Sequence, residues 1–101
     1  MGVKIMRQIT NEAVSALLAY MNFRKSNTEV RPDKQNRQTM YLFGNAIARI
    51  NHNGNLEICD GGYQSATTKE RLNGLPNVSV CQRKGQWFLN GKPWDGEWTE
   101  V

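Results

Sequence analysis

Val14, Leu17, Leu18 and Met21 recur at i, i+3, i+4 and i+7, which is the spacing of one helical face. Thr10 or Asn11 supplies an N-cap, and Glu12 sits in the first turn against the helix dipole. The pattern predicts a helix over 11–22 whose stripe is core, with a partner-binding groove helix as the sharper reading. The preceding 1–9 reads as a leading strand or an arm.

The period then shortens. Residues 23–27 read as a turn, 28–31 as a short strand and 32–37 as a polar loop marked by Pro32 and Asp33. Residues 38–43 are rich in β-formers, and Gly44-Asn45 breaks them. Residues 46–51 alternate, with Ile47 and Arg49 on one face and Ala48 and Ile50 on the other. Asn53-Gly54 is the chain's best tight-turn signal, so 46–51 is expected to pair antiparallel with 56–59. Gly61-Gly62 ends that strand.

Thr67 and Glu70 match a capping box and predict a short helix over 68–73. Gly74 reads as its left-handed C-terminal residue, and Pro76 stops continuation. Residues 78–83 and 86–89 read as strands joined at Lys84-Gly85. A second Asn-Gly follows at Asn90-Gly91, and Pro93 confines what comes next to an edge strand or an irregular tail. The order predicts one α+β domain over 1–101: an N-terminal helix, an antiparallel sheet of about five to six short strands, a second short helix between strands, and a closing C-terminal hairpin. Leu18, Ile58, Leu72, Val80 and Trp87 are the expected core.

Composition adds a charge asymmetry. The 101 residues carry a formal net charge of +4, which favours an anionic partner. Residues 1–50 hold eight Lys/Arg and three Asp/Glu, whereas residues 51–101 hold five and six. Any nucleic-acid surface therefore belongs to the first half. Cys59 and Cys81 fit no metal spacing. They read as reduced, partly buried thiols, with a cross-strand disulfide as the other reading. The sequence shows no signal-peptide pattern and no run of membrane-spanning length. The expectation is a soluble protein of the host cytoplasm with no membrane partner.

Catalytic chemistry finds little support. His52 is the single histidine and falls in a turn. Asp60 is an isolated carboxylate, and a hydrolase or nuclease would need acidic or histidine clusters. We expect no enzyme activity, no cofactor and no metal. The stretch from Asp60 to Thr68 can be read as a phosphate cradle. With no Walker or GxGxxG pattern, a strand-to-helix connection is preferred.

Two sets of residues suggest binding. Arg24, Lys25, Lys34, Arg31, Arg37 and Arg49 interleave with Phe23, Tyr41 and Phe43. On strands, Tyr41 and Phe43 can stack bases while the arginines neutralise phosphates of DNA or RNA. The competing reading packs the rings under the first helix and leaves the charges solvated. The second set is Trp87, Trp94 and Trp98. Trp87 alternates with Leu89 and reads as buried, whereas Trp94 or Trp98 is the better contact residue.

Gly44-Asn-Ala-Ile-Ala48, the glycine–aromatic step Gly62-Tyr63, and Thr67-Thr-Lys-Glu-Arg-Leu-Asn73, with Phe88-Leu-Asn-Gly-Lys-Pro-Trp94 following, resemble a family of small phage-encoded accessory proteins. That resemblance implies a phage origin and carries no catalytic residues. Such proteins commonly bind a host macromolecule. By analogy with them, the leading expectation is an inhibitor of a host protein or protein–nucleic-acid complex, of the anti-CRISPR type. As aromatic and Arg residues on the glycine step, the second helix and the tail, Tyr63, Arg71, Trp94 and Trp98 are its expected exposed anchors. The alternative is a nucleic-acid-binding module using Arg24, Lys25, Arg31, Arg37, Tyr41 and Arg49.

Overall fold

A computed structural model of the chain describes residues 7–101. Most of the stretch read as a leading strand or arm lies outside them. Its last positions, Gln8 and Ile9, already belong to helix α1, Gln8–Leu18. The helix therefore starts and stops earlier than the 11–22 reading. Arg7 occupies the N-cap without a side-chain hydrogen bond, and neither Thr10 nor Asn11 caps it. The inward stripe is Thr10, Ala13, Val14 and Leu17, the same helical spacing begun four residues sooner. Leu18, expected in the core, is 46% exposed, and Met21 lies beyond the helix and is also exposed.

The chain next builds a six-stranded antiparallel sheet. Its consecutive strands are β1 (Phe23–Lys25), β2 (Thr28–Pro32), β3 (Gln38–Leu42), β4 (Asn45–Ile50) and β5 (Leu56–Ile58). Helix α2 (Ala66–Leu72) follows. A three-stranded sheet comes next, made of β6 (Val80–Arg83), β7 (Gln86–Leu89) and β8 (Lys92–Pro93). The chain then returns to the large sheet, where β9 (Thr99–Glu100) pairs with β5. The α+β architecture, the second helix between strands and the hairpin after it match the sequence reading. The 23–25 strand and β9 do not appear in it.

Register explains the core. Phe23, Val30, Met40, Ala48 and Ile58 stand opposite one another across five strands, and the last four are fully buried. Helix α1 packs on β1–β3, and α2 packs on β4 and β6. The expected alternation in 46–51 is broken by a bulge. Met40 pairs with Ala48 but Tyr41 pairs with Ala46, which leaves Ile47 as the extra residue. Ile47 and Ala48 are consequently both buried, and Ile47 does not share a face with Arg49. Ile58, Leu72, Val80 and Trp87 are core as expected.

The turns carry further corrections. β4 and β5 do pair antiparallel, with Arg49 opposite Glu57. At Asn53-Gly54 only Gly54 has positive φ. The Gly54 amide donates to the Asn51 carbonyl at 2.9 Å, so the loop is a type I turn followed by a left-handed glycine. Phe43-Gly44, Lys84-Gly85 and Asn90-Gly91 have both residues at positive φ, the primed geometry of two-residue hairpins. Phe43 is thus a turn residue and no longer part of the strand.

At α2, the N-cap is Ser65, whose hydroxyl accepts from the Thr68 amide at 3.1 Å. The expected capping box of Thr67 and Glu70 does not form. Gly74 is absent from the positive-φ residues. A Cβ there would lie 2.5 Å from Thr10 Cγ2, so the glycine permits close approach of α2's end to α1.

Glu70 and Arg71 instead join three distant elements. Arg71 is 1% exposed. Its Nε donates to Thr28 Oγ1 at 3.0 Å, its Nη1 to Thr10 Oγ1 at 3.0 Å, and its Nη2 to Asn27 Oδ1 at 3.2 Å. Nη1 also pairs with Glu70 Oε1. The Thr10 hydroxyl donates to Glu70 at 2.6 Å. A buried guanidinium is tolerated when its charge is paired and its donors are satisfied. Here those conditions fix α1, the β1–β2 turn and α2 to one another.

Candidate functional site

The antiparallel order places several turns at one end of the large sheet. The β1–β2 turn, the Phe43-Gly44 turn, the exit of β5 at Cys59–Gly62 and the entry to β9 at Trp98 all lie there. Phe43 is 68% exposed, Tyr63 is 72% exposed and Trp98 is 37% exposed. A pocket of about 260 Å³ lies between Phe43 and Tyr63. Through Asn45, Asp60 and Gly61 it adjoins an open groove of about 700 Å³, whose wall includes Asp95, Gly96, Glu97 and Trp98.

The local chain explains these positions. Phe43 has φ of 50°, a left-handed conformation that a bulky side chain rarely adopts, and its turn projects the ring away from the core. The Phe43 amide donates to the Asn27 carbonyl at 2.8 Å, which holds the turn against its neighbour. Gly62 receives its direction from Asp60, whose Oδ1 accepts the Gly62 amide at 2.7 Å. The Asp60 amide donates to the Gly96 carbonyl at 2.9 Å. Gly96 has φ of 90°, and any Cβ there would collide with the Asp60 carboxylate. The two groove walls are therefore tied together.

Two of the four expected anchors are not available. Arg71 is buried in the network joining α1 and α2. Trp94 is 6% exposed. Its ring lies against Trp87 with centroids 6.1 Å apart, and its Nε1 donates to Thr99 Oγ1 at 2.9 Å. Tyr63 and Trp98 remain on the surface. Phe43 replaces the lost aromatic, although its sequence signal was that of a strand residue. Asp95 and Glu97 were legible only as an acidic tail.

The basic and aromatic set falls largely on the outer sheet face. Arg24, Glu29 and Tyr41 form one row there, and Arg31, Thr39, Arg49 and Glu57 form the next. Arg31 lies over the Tyr41 ring at 4.3 Å, and Arg49 over the Trp98 ring at 3.7 Å. Each guanidinium also has an acid: Arg31 meets Glu29 at 3.3 Å and Arg49 meets Glu57 at 2.7 Å. Lys25 meets Glu12 at 3.5 Å, and Arg37 meets Asp33 at 3.0 Å.

Titration follows these contacts. The Arg49 guanidinium holds Glu57 below the usual glutamate value, with help from Asn51, against an opposing effect of burial. Burial pushes Asp33 upward, but hydrogen bonds from Arg37 and Gln35 outweigh it and leave that carboxyl lowered. Burial also raises the Cys59 thiol. Cys59 and Cys81 are free thiols. Cys81 is exposed, contrary to the partly buried expectation. His52 is exposed, with Nε2 2.9 Å from the Gln35 carbonyl oxygen. Among the described residues, no group of His, Cys, Asp and Glu is arranged to hold a metal ion. No helix among them is long and apolar enough to cross a membrane.

Residues 6–100 match the Kyanoviridae Gp96 protein family. No curated protein and no solved structure matches the chain. The family match supports the phage origin that the sequence resemblance implied. The chain belongs to the Kyanoviridae Gp96 protein family, a family of phage proteins.

Proposed function

We propose that this is a non-catalytic phage accessory protein that binds a host protein through the Phe43–Tyr63–Trp98 end of its sheet and inhibits it, as an anti-defence factor of the anti-CRISPR type. The observation that carries the binding step is the exposure of Phe43 and Tyr63, at 68% and 72%, on either side of one pocket. Aromatic side chains anchor interfaces because they bury much area with few rotors. A Phe43 held in a left-handed turn and left mostly exposed in its own fold points to use outside it. The inhibitory step rests on the phage family. The non-catalytic reading rests on a lone exposed histidine and on the burial of Cys59.

Nucleic acid is the second reading, favoured by the gathering of Arg24, Arg31, Tyr41 and Arg49 on one open face. It is the weaker of the two. There Arg31 and Arg49 could neutralise a phosphate only by separating from Glu29 and Glu57. A phosphate contact draws its affinity from replacing diffuse counterions, whereas these arginines already carry fixed ones. Affinity capture from host lysate, with and without nuclease, separates the readings. A defined protein retained after nuclease treatment supports the first. Capture that disappears with nuclease supports the second and overturns the first.

A further inference from the structure

The groove beside Trp98 is anomalous in charge. The chain has nine Asp and Glu residues and a net charge of +4. Five of those acids, Glu12, Glu29, Asp33, Glu57 and Glu70, have a Lys or Arg within ion-pair distance. Of the remaining four, Asp60, Asp95 and Glu97 all line this groove, and among the described residues no Lys or Arg lines it or the adjoining pocket. Among the described residues, three of the four acids without a Lys or Arg partner are thus gathered beside three exposed aromatics, Phe43, Tyr63 and Trp98.

Their hydrogen bonds leave capacity. Asp60 Oδ1 accepts from Gly62, and Asp95 Oδ1 accepts from the Glu97 amide at 3.0 Å. Among the described residues, the second oxygen of each and both carboxylate oxygens of Glu97 accept nothing. Gly44, Gly61 and Gly62 line the same groove, so its lining is low and a long side chain can reach the acids. Trp98 forms the wall, and Arg49 at 3.7 Å shows that its ring takes a guanidinium. Arg49 is itself paired with Glu57.

Resting on the protein-docking reading above, we propose that this groove receives an arginine side chain from a basic segment of the bound protein, with Asp60, Asp95 and Glu97 as its acceptors and Phe43 and Tyr63 gripping the adjoining chain. Arginine fits better than lysine because its planar fork of donors can serve two carboxylates at once and lie against an aromatic edge. Uncompensated carboxylates also select against acidic partners, since like charges brought together oppose association.

The test is a titration of the ¹⁵N-labelled full chain with the capped peptide acetyl-Gly-Arg-Gly-Arg-Gly-amide. The lysine and glutamate versions and magnesium chloride serve as comparison probes. The inference expects saturable shifts confined to amides 44–46, 60–62 and 95–98 and the Trp98 indole. It expects weaker binding of the lysine peptide and none of the glutamate peptide. Asp95→Asn/Glu97→Gln, both on an exposed loop, is expected to weaken the arginine peptide about tenfold or more without moving the unfolding midpoint. Asp60→Asn preserves the acceptor for Gly62 and is expected to weaken it further. Unchanged affinity in these variants, equal binding of the glutamate peptide, or the same shifts produced by magnesium at lower concentration would overturn the assignment. If host-protein capture needs Phe43 and Tyr63 while the peptide does not bind, the arginine assignment falls alone. If the peptide binds while nothing is captured, the docking reading falls.

Discussion

Arg71 Nη1 donates to the Thr10 hydroxyl at 3.0 Å across 61 positions of sequence. That bond, with those to Thr28 and Asn27, joins the two helices to the turn beside Phe43. The network positions the candidate surface without belonging to it. Removing the guanidinium leaves Glu70 without its cation and the Thr28 hydroxyl oxygen without a donor, while Asn27 Oδ1 keeps only its bond from the Thr28 hydroxyl at 2.8 Å. Arg71→Ala is expected to cost about 3–5 kcal/mol, measured by urea unfolding. Arg71→Lys should recover only part, because one ammonium cannot span acceptors on three elements. A loss below about 1 kcal/mol, the level of an exposed ion pair, would contradict this role.

The phase of α1 gives a sharper comparison. Leu17 is 0% exposed and Leu18 is 46% exposed. Leu17→Ala should cost about 2–5 kcal/mol, while Leu18→Ala should stay within about 0.5 kcal/mol, as for surface positions. Paired unfolding curves measure the difference. Equal effects at the two positions would show that the helix is rotated from the orientation described here.

Glu57 links stability to pH. Its carboxyl is lowered chiefly by Arg49 at 2.7 Å. A lowered folded-state value stabilises the fold above the ordinary glutamate value, about 4.3, and that contribution is lost as pH falls through Glu57's own lower value. Glu57→Gln should therefore flatten the acid limb of the stability curve below about pH 4 and leave its slope near neutrality unchanged. Asp33 acts in the same direction, so some acid slope should remain. An acid limb identical to wild type would show that the Arg49–Glu57 pair does not form in solution.

What was legible in the sequence is what short-range chemistry determines. The Asn53-Gly54 turn and its flanking alternation gave the β4–β5 pairing, and Trp87 beside Leu89 gave a core strand. What was hidden depends on contacts made far along the chain. Arg71 on a short helix looks solvated, because its acceptors Thr10, Asn27 and Thr28 lie 43 to 61 positions away. Trp94 follows a proline and looks irregular, but the loop leading to β9 folds its ring onto Trp87. The helical period permits two stripes four residues apart. The choice between them rests on Thr10, a polar residue that belongs inward because Glu70 and Arg71 bond its hydroxyl. Phe43 hides for another reason. A β-forming aromatic extends a strand pattern, and only the pairing register shows that it forms the turn.

The docking surface is tested most directly by changing its two most exposed rings and measuring capture of host protein after nuclease treatment. Asn tolerates the left-handed φ that Phe43 must hold, so Phe43→Asn removes the ring while easing the turn. Tyr63→Ala completes the pair. Tyr20→Ala serves as the control, because Tyr20 is 63% exposed and follows the end of α1. The account predicts that Phe43→Asn/Tyr63→Ala, folded as judged by its unfolding midpoint, loses capture by about tenfold or more, the scale of a removed hot spot, while Tyr20→Ala captures as wild type does. Undiminished capture by the folded double variant would contradict it.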